Sequence, residues 1–368
     1  MASAAEVASG IRVTFIQHGI VRRMPGGNED RYRVGELEIP FSEEATQIFR
    51  DRQVENIAYN SANNNVSIYT KKRITKAELE VLPQAVDGVF LSYSVGHVEN
   101  IGGAPVVAEY ASYSLFQSPQ SNNAYYTCGS SISPGNEASA GTLGALVRDE
   151  HGELFGLTNN HVIGGMNHTP AMMPILAPGV MDVTPGGLDP FTIGHHDRLG
   201  VLTPGDQTNI NVPANLDAAI FKIKNGDLIS SMQGNCYDTP GAIGDIVDGM
   251  LVEKVGRTTG HRQGMVVGKY LHPIRVNCEN PTYNFKAGIW FDEVYIVYGV
   301  NHEAFSETGD SGSLVVGRDA QGNRCAVGLL FAGGPDNQAP GGKMTLIFPI
   351  RPILESLGVT LVSGHHAS

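Results

Sequence analysis

Three short stretches carry residue types that together could break an acyl bond. The first is Gly309-Asp310-Ser311-Gly312-Ser313, followed by the apolar run Leu314-Val315-Val316. A serine between glycines, ahead of a buried strand, has the setting an exposed nucleophile on a tight turn requires. Glycine takes backbone conformations closed to other residues and lets a substrate approach closely. A serine hydroxyl is still a weak nucleophile at neutral pH, so it needs a base and an acid that orients the base. Asn159-Asn160-His161-Val162-Ile163 offers the base at the end of the strand-like Leu154-Phe155-Gly156-Leu157-Thr158, because imidazole titrates near neutral pH. Taken singly, His161 reads as a satisfied core histidine, and its company changes that reading. Asn215-Leu216-Asp217-Ala218-Ala219-Ile220 sets an aspartate in largely apolar surroundings, where a carboxylate is costly unless paired. Asp206 and Asp197 are rival acids, but both lie in turn-like segments where a solvated aspartate is unremarkable.

The elements that must position these groups follow from composition and patterning. A chain of 368 residues with 41% hydrophobic content suits two or three domains with sizeable cores, and 45 glycines and 20 prolines suit many short strands joined by turns. From about Ala140 onward the pattern is strand, turn, strand. Residues 1–105 instead alternate helix-like and strand-like patterns and are expected to form a small α/β accessory domain, with residues 106–368 as the second unit. The apolar stretch 11–20 opens that module as a strand. Ser42-Glu43-Glu44 and Thr75-Lys76-Ala77-Glu78 are helix starts, the second a capping box. No nucleophile, phosphate loop or metal cluster lies in the module, which reads as a packing or recognition domain.

Charge and cysteine usage narrow the partners. A formal net charge of −12, with no basic cluster beyond Lys71-Lys72-Arg73, argues against nucleic acid and anionic membranes. The start, Met1-Ala2-Ser3-Ala4-Ala5-Glu6, has no positive region ahead of an apolar core, and no run has transmembrane length, so a cytoplasmic protein is expected. Cys128, Cys236, Cys278 and Cys325 are widely spaced, which fits reduced structural thiols. His195-His196-Asp197 tempts a metal reading, but adjacent residues of a strand point to opposite faces. No metal and no cofactor are expected.

In chain order, His161, Asp217 and Ser311, with Thr158-Asn159-Asn160-His161-Val162, Asp217-Ala218-Ala219-Ile220 and Gly309-Asp310-Ser311-Gly312-Ser313, resemble the chymotrypsin/trypsin-like serine peptidases. The likeness is greater to the intracellular trypsin-like branch of bacteria and plant narrow-leaf-type proteins. Thr142-Leu143-Gly144-Ala145 and Lys254-Val255-Gly256-Arg257-Thr258-Thr259-Gly260 add to it. The resemblance covers roughly residues 125–358. It implies a mainly β fold, a double six-stranded antiparallel β-barrel with a C-terminal helix, with the site in the cleft between barrels.

The resemblance further implies an endopeptidase in which Ser311 attacks, His161 carries the proton, Asp217 orients the imidazole, and the N–H groups of Gly309 and Ser311 form an oxyanion hole. It places Phe305, Ser306 and Thr308 at the floor of the primary pocket, and Phe331, Ala332 and Gly333 on a wall that pairs with substrate backbone. No acid stands at that floor, although Asp336 is near enough in sequence to enter it, and Glu307 reads as a solvated surface acid. No Ile-Val-Gly-Gly-like start is present to pair with Asp310 after cleavage, so either the site is always assembled or control lies in the N-terminal domain. The expected partner is a protein or peptide substrate, with a regulatory partner or a second copy left to the N-terminal domain. A non-catalytic double-barrel scaffold is the alternative. An α/β-hydrolase would order its groups Ser, Asp, His, the reverse of this chain.

Overall fold

A computed structural model describes residues 2–101 and 112–368; the expected boundary at 105/106 lies outside the described residues. The chain opens with a helix, Ala4–Gln17, where stretch 11–20 alone suggests a strand. Its start explains the difference. Ser3 and Glu6 form a reciprocal capping box ahead of that stretch, and Val7, Ile11 and Phe15 then fall on one face and are fully buried. Glu43–Arg52 and Lys76–Val81 begin at the expected caps, Ser42 and Thr75.

These helices accompany the strands Val54–Asn60, Asn65–Thr70 and Val89–Val95. The first two pair antiparallel and the last two parallel, with Ile68 opposite Tyr93. Phe49, Ile57, Val66 and Ile68 join the helix face in one apolar cluster. The sheet does not end there. Ala58 and Tyr59 pair with Tyr270 and Lys269 of the long strand Gly260–Tyr270, which carries the ladder into the C-terminal part of the chain.

That part contains a closed barrel. Six strands follow one another around it: Leu251–Gly256, Leu314–Arg318, Arg324–Pro335, Lys343–Pro349, Tyr295–Gly299 and Gly260–Tyr270. Pairing of Leu251–Gly256 with both Leu314–Arg318 and Gly260–Tyr270 closes the circle, and closure leaves no internal edge. The preceding half is a curved, open antiparallel sheet. Ala145–Asp149, Leu154–Thr158, Ala219–Ile223 and Phe191–Leu199 form its centre, and Val359–Leu361 from the C-terminus extends one side. The fold is thus the mainly β, two-barrel class that the resemblance implies, with the ladder continuous only in the second barrel.

One apolar core joins the halves, drawing Leu157 and Ile220 from the first and Leu314, Leu329 and Phe348 from the second. The terminal helix Ile350–Leu357 buries Ile350, Ile353, Leu354 and Leu357 on this core and stops at Gly358 in the left-handed conformation. Among the described residues no helix is long and apolar enough to cross a membrane, and no group of three or more potential metal ligands occurs.

Candidate active site

Pairing of Thr158 with Ala219 sets the turn after Leu154–Thr158 beside the approach to Ala219–Ile223. His161 lies in that turn, in the short helix Asn160–Ile163, and Asp217 lies just ahead of the partner strand. Asp217 is 1% exposed and has both carboxylate oxygens engaged by one residue. Oδ1 accepts the His161 backbone N–H at 2.9 Å, and Oδ2 lies 2.5 Å from His161 Nδ1. An ionised carboxylate only accepts, so Nδ1 carries the proton and the Nε2 lone pair is available as a base. Asn159 Nδ2 donates to the Asp217 carbonyl at 2.6 Å and fixes the two segments together. The rival acids lie elsewhere: Asp206 accepts from Thr208, and Asp197 pairs with Arg198.

Ser311 stands on a turn that both halves of the molecule hold. Gly309 and Gly312 have φ of +99° and +93°, conformations that side chains rarely adopt. Thr142, from the first half, donates its N–H to Ser311 O and its hydroxyl to Gly309 O, each at 2.9 Å. Gly312 N–H donates to Leu330 O at 2.9 Å. Gly144 packs so close that a Cβ there would lie 2.1 Å from Gly312 O. Among the described residues the N–H groups of Gly309 and Ser311 donate to no protein acceptor, and both residues line the cleft that His161 lines. Ser311 Oγ makes no hydrogen bond among the described residues; such contacts in unliganded sites often tighten only with substrate.

Asp310 is fully buried against Lys254, itself 0% exposed, at 3.0 Å. The N–H groups of Glu307, Thr258 and Thr259 and the Thr259 hydroxyl donate to the same carboxylate. Burial alone would raise Asp310, but Lys254 and these donors outweigh it and hold the carboxyl below its usual range. An ammonium from within the chain therefore stands against Asp310, where sequence reading finds no liberated N-terminus to do so. The signal available was a lysine in the apolar Leu251-Val252-Glu253-Lys254-Val255 run, which demands a buried acid. Arg257, also in the cleft wall, forks onto Asp182 at 2.6 and 2.7 Å.

The cleft encloses about 800 Å³. Ser306, Thr308, Phe331, Ala332 and Gly333 line it. Phe305 does not: it is 0% exposed and packs in the barrel interior with Val266, Val297 and Ile347. The Ser306 and Thr345 hydroxyls are 2.6 Å apart. Glu307 reaches the cleft and pairs with Lys343, whereas buried Asp336 accepts from Ser94 and Tyr298 and is absent from the lining. Glu137, which sequence reading passed over, lines the cleft and accepts from Asn280 Nδ2. Burial pushes its carboxyl up, against the pull of Asn280 and the nearby His161. Outside the cleft, buried His196 has no hydrogen-bond partner on either ring nitrogen among the described residues, and burial lowers its pKa.

No protein-family model matches the chain. Among curated proteins it is similar to Protein NARROW LEAF 1 of Oryza sativa subsp. japonica, 28% identical over 218 residues that span 52% of this chain and 34% of that protein. The chain thus matches about a third of that relative's length. Among solved structures it is similar to Thermobifida fusca protease A, with a TM-score of 0.40 and 17% identity over 65% of this chain and 98% of that one. Nocardiopsis protease aligns at a TM-score of 0.39 and 16% identity over 63% of this chain and 95% of that one. A scabies mite inactivated protease paralogue aligns at 0.31 and 13% identity over 62% and 90%.

Proposed function

We propose that the chain is a serine peptidase acting through His161, Asp217 and Ser311. The observation that carries the reading is the double grip of Asp217 on His161, through the backbone N–H and the ring Nδ1, which leaves Nε2 as the base in the cleft that holds Ser311. Ser311 Oγ adds to the substrate carbonyl carbon while Nε2 takes the hydroxyl proton. The carbonyl oxygen becomes an oxyanion between the N–H groups of Gly309 and Ser311, each such donor contributing about 3 kcal/mol in comparable sites. The C–N bond then breaks, and the leaving nitrogen receives the proton from His161. Water then adds to the acyl carbon as His161 Nε2 takes its proton, and the C–Oγ bond breaks with that proton returned to Ser311 Oγ, which releases the acid and restores the serine.

Residues 1–105 are read as an accessory domain that bears on access to the cleft, and the four free cysteines support placing the protein in a reducing compartment such as the cytoplasm. The test is digestion of a mixed-sequence peptide library, with new termini read by mass spectrometry. Cleavage by the wild type that disappears in Ser311→Ala is expected. A library left intact by the wild type, or still cut by the variant, would overturn the assignment.

A further inference from the structure

A peptide entering the cleft as an extended strand needs a backbone edge to pair with. The strand Arg324–Pro335 supplies it, since one side is spent on Lys343–Pro349, with Gly333 opposite Thr345 and Pro335 opposite Lys343. The other side is already taken by the chain itself. Glu99 N–H donates to Gly333 O at 2.9 Å, His97 N–H donates to Pro335 O at 3.3 Å, and Gly96 bridges Asp336 antiparallel. The same segment is held from behind by the hairpin that begins with Ile274–Asn280. Ile101 N–H donates to Asn277 O and Glu279 N–H donates to Ile101 O, both at 2.9 Å. Val95 N–H also donates to Asn337 Oδ1 at 2.7 Å, and Ile101 is 4% exposed within the core that joins the two halves. Displacing residues 96–101 would break the hydrogen bonds of His97, Glu99 and Ile101 and expose Ile101, so the segment is part of the cleft wall.

The orientation of the reaction makes this wall selective. The leaving nitrogen takes its proton from His161, so the leaving half of the substrate lies on the His161 side and the acyl half is left with the Gly333 side. We infer that residues 96–101 truncate the acyl side of the cleft, and that the substrate is therefore a chain end. The edge is occupied up to Leu330 by Gly312 and Ser313 and again at Gly333 by Glu99, which leaves Phe331 and Ala332 between them and room for about two extended residues N-terminal to the scissile bond. The inference rests on the peptidase reading and narrows it from cutting within chains to trimming short N-terminal pieces. The charges at the closed end agree with a free α-ammonium. Glu99 lines it beside Glu279, which the exposed Lys286 contacts at 3.4 Å, while the cations of the cleft, Lys343 and Arg257, are paired with Glu307 and Asp182.

The test uses peptidyl diphenyl phosphonates, which phosphonylate a reactive serine, on the full chain. For each of several P1 side chains, a dipeptidyl probe with a free amine is compared with its four-residue extension, and a simple alkyl fluorophosphonate reads whether Ser311 reacts at all. The four-residue probe should label at least about tenfold more slowly, the equivalent of roughly one lost strand hydrogen bond. Glu99→Pro, which removes the N–H bonded to Gly333 O, should narrow that ratio. Equal or faster labelling by the four-residue probes would overturn the inference, as would labelling by the fluorophosphonate alone. Failure of the fluorophosphonate itself to label Ser311 would overturn the peptidase reading instead.

Discussion

In the proposed mechanism His161 is useful as a base only while Asp217 holds its Nδ1 proton, and the 2.5 Å contact with an aspartate buried to 1% exposure is the means. An amide at 217 would donate to Nδ1 and force the wrong tautomer. Asp217→Asn is therefore expected to lower turnover by about ten-thousand-fold with little change in KM; steady-state kinetics on any peptide substrate checks this, and near-normal turnover would remove Asp217 from the mechanism. Lys254 acts one step further back, by neutralising the carboxylate next to the nucleophile. Lys254→Met leaves Asp310 buried and unpaired, so it should destabilise the fold by about 3–5 kcal/mol. Urea unfolding measures that loss, and a change below about 1 kcal/mol would mean that the surrounding N–H donors suffice for Asp310.

At the scale of elements, the nucleophile turn of the second barrel is clamped by Thr142 and Gly144 of the first half. A Cβ at Gly144 meets backbone, Gly312 O at 2.1 Å, so the turn must move. Gly144→Ala should slow fluorophosphonate labelling by about a hundredfold, the effect of misplacing reacting groups by roughly 1 Å, and an unchanged labelling rate would show that the turn does not depend on this contact. Much at this scale is legible in the sequence, because caps and motifs are local. Ser42, Thr75 and Gly358 bound their helices as their residue types dictate. His161 and Asp217, each unremarkable alone, are joined by one strand pairing. What local pattern cannot give is what the tertiary fold brings together. The Lys254–Asp310 pair and the pairing of Glu99 with Gly333 both join residues distant along the chain. The resemblance places Phe305 at the pocket floor, but its side chain packs into the barrel interior instead of the cleft. The stretch 11–20 misleads because the helix that covers most of it starts earlier, capped by Ser3.

Across the whole molecule, one sheet runs from the N-terminal strands through Gly260–Tyr270 into the closed barrel, and its stability should depend on acid. Burial alone would raise Glu253, but His261 and Arg324 pull its pKa down to about 2, and Asp310 is likewise depressed. A depressed carboxyl binds fewer protons folded than unfolded between the two values, so its contribution is present above the unfolded value of about 4 and is lost as pH falls toward 2. Urea midpoints should therefore fall from pH 6 to pH 3, and fall less in Glu253→Gln, whereas equal slopes would mean that Glu253 is not a coupled group. The most direct measurement of the central claim is fluorophosphonate labelling of the full chain at neutral pH, with the adduct located by peptide mass mapping. One adduct per chain, on Ser311 and strongly slowed in Asp217→Asn, is the predicted result. No adduct on Ser311 in the folded wild type would contradict it.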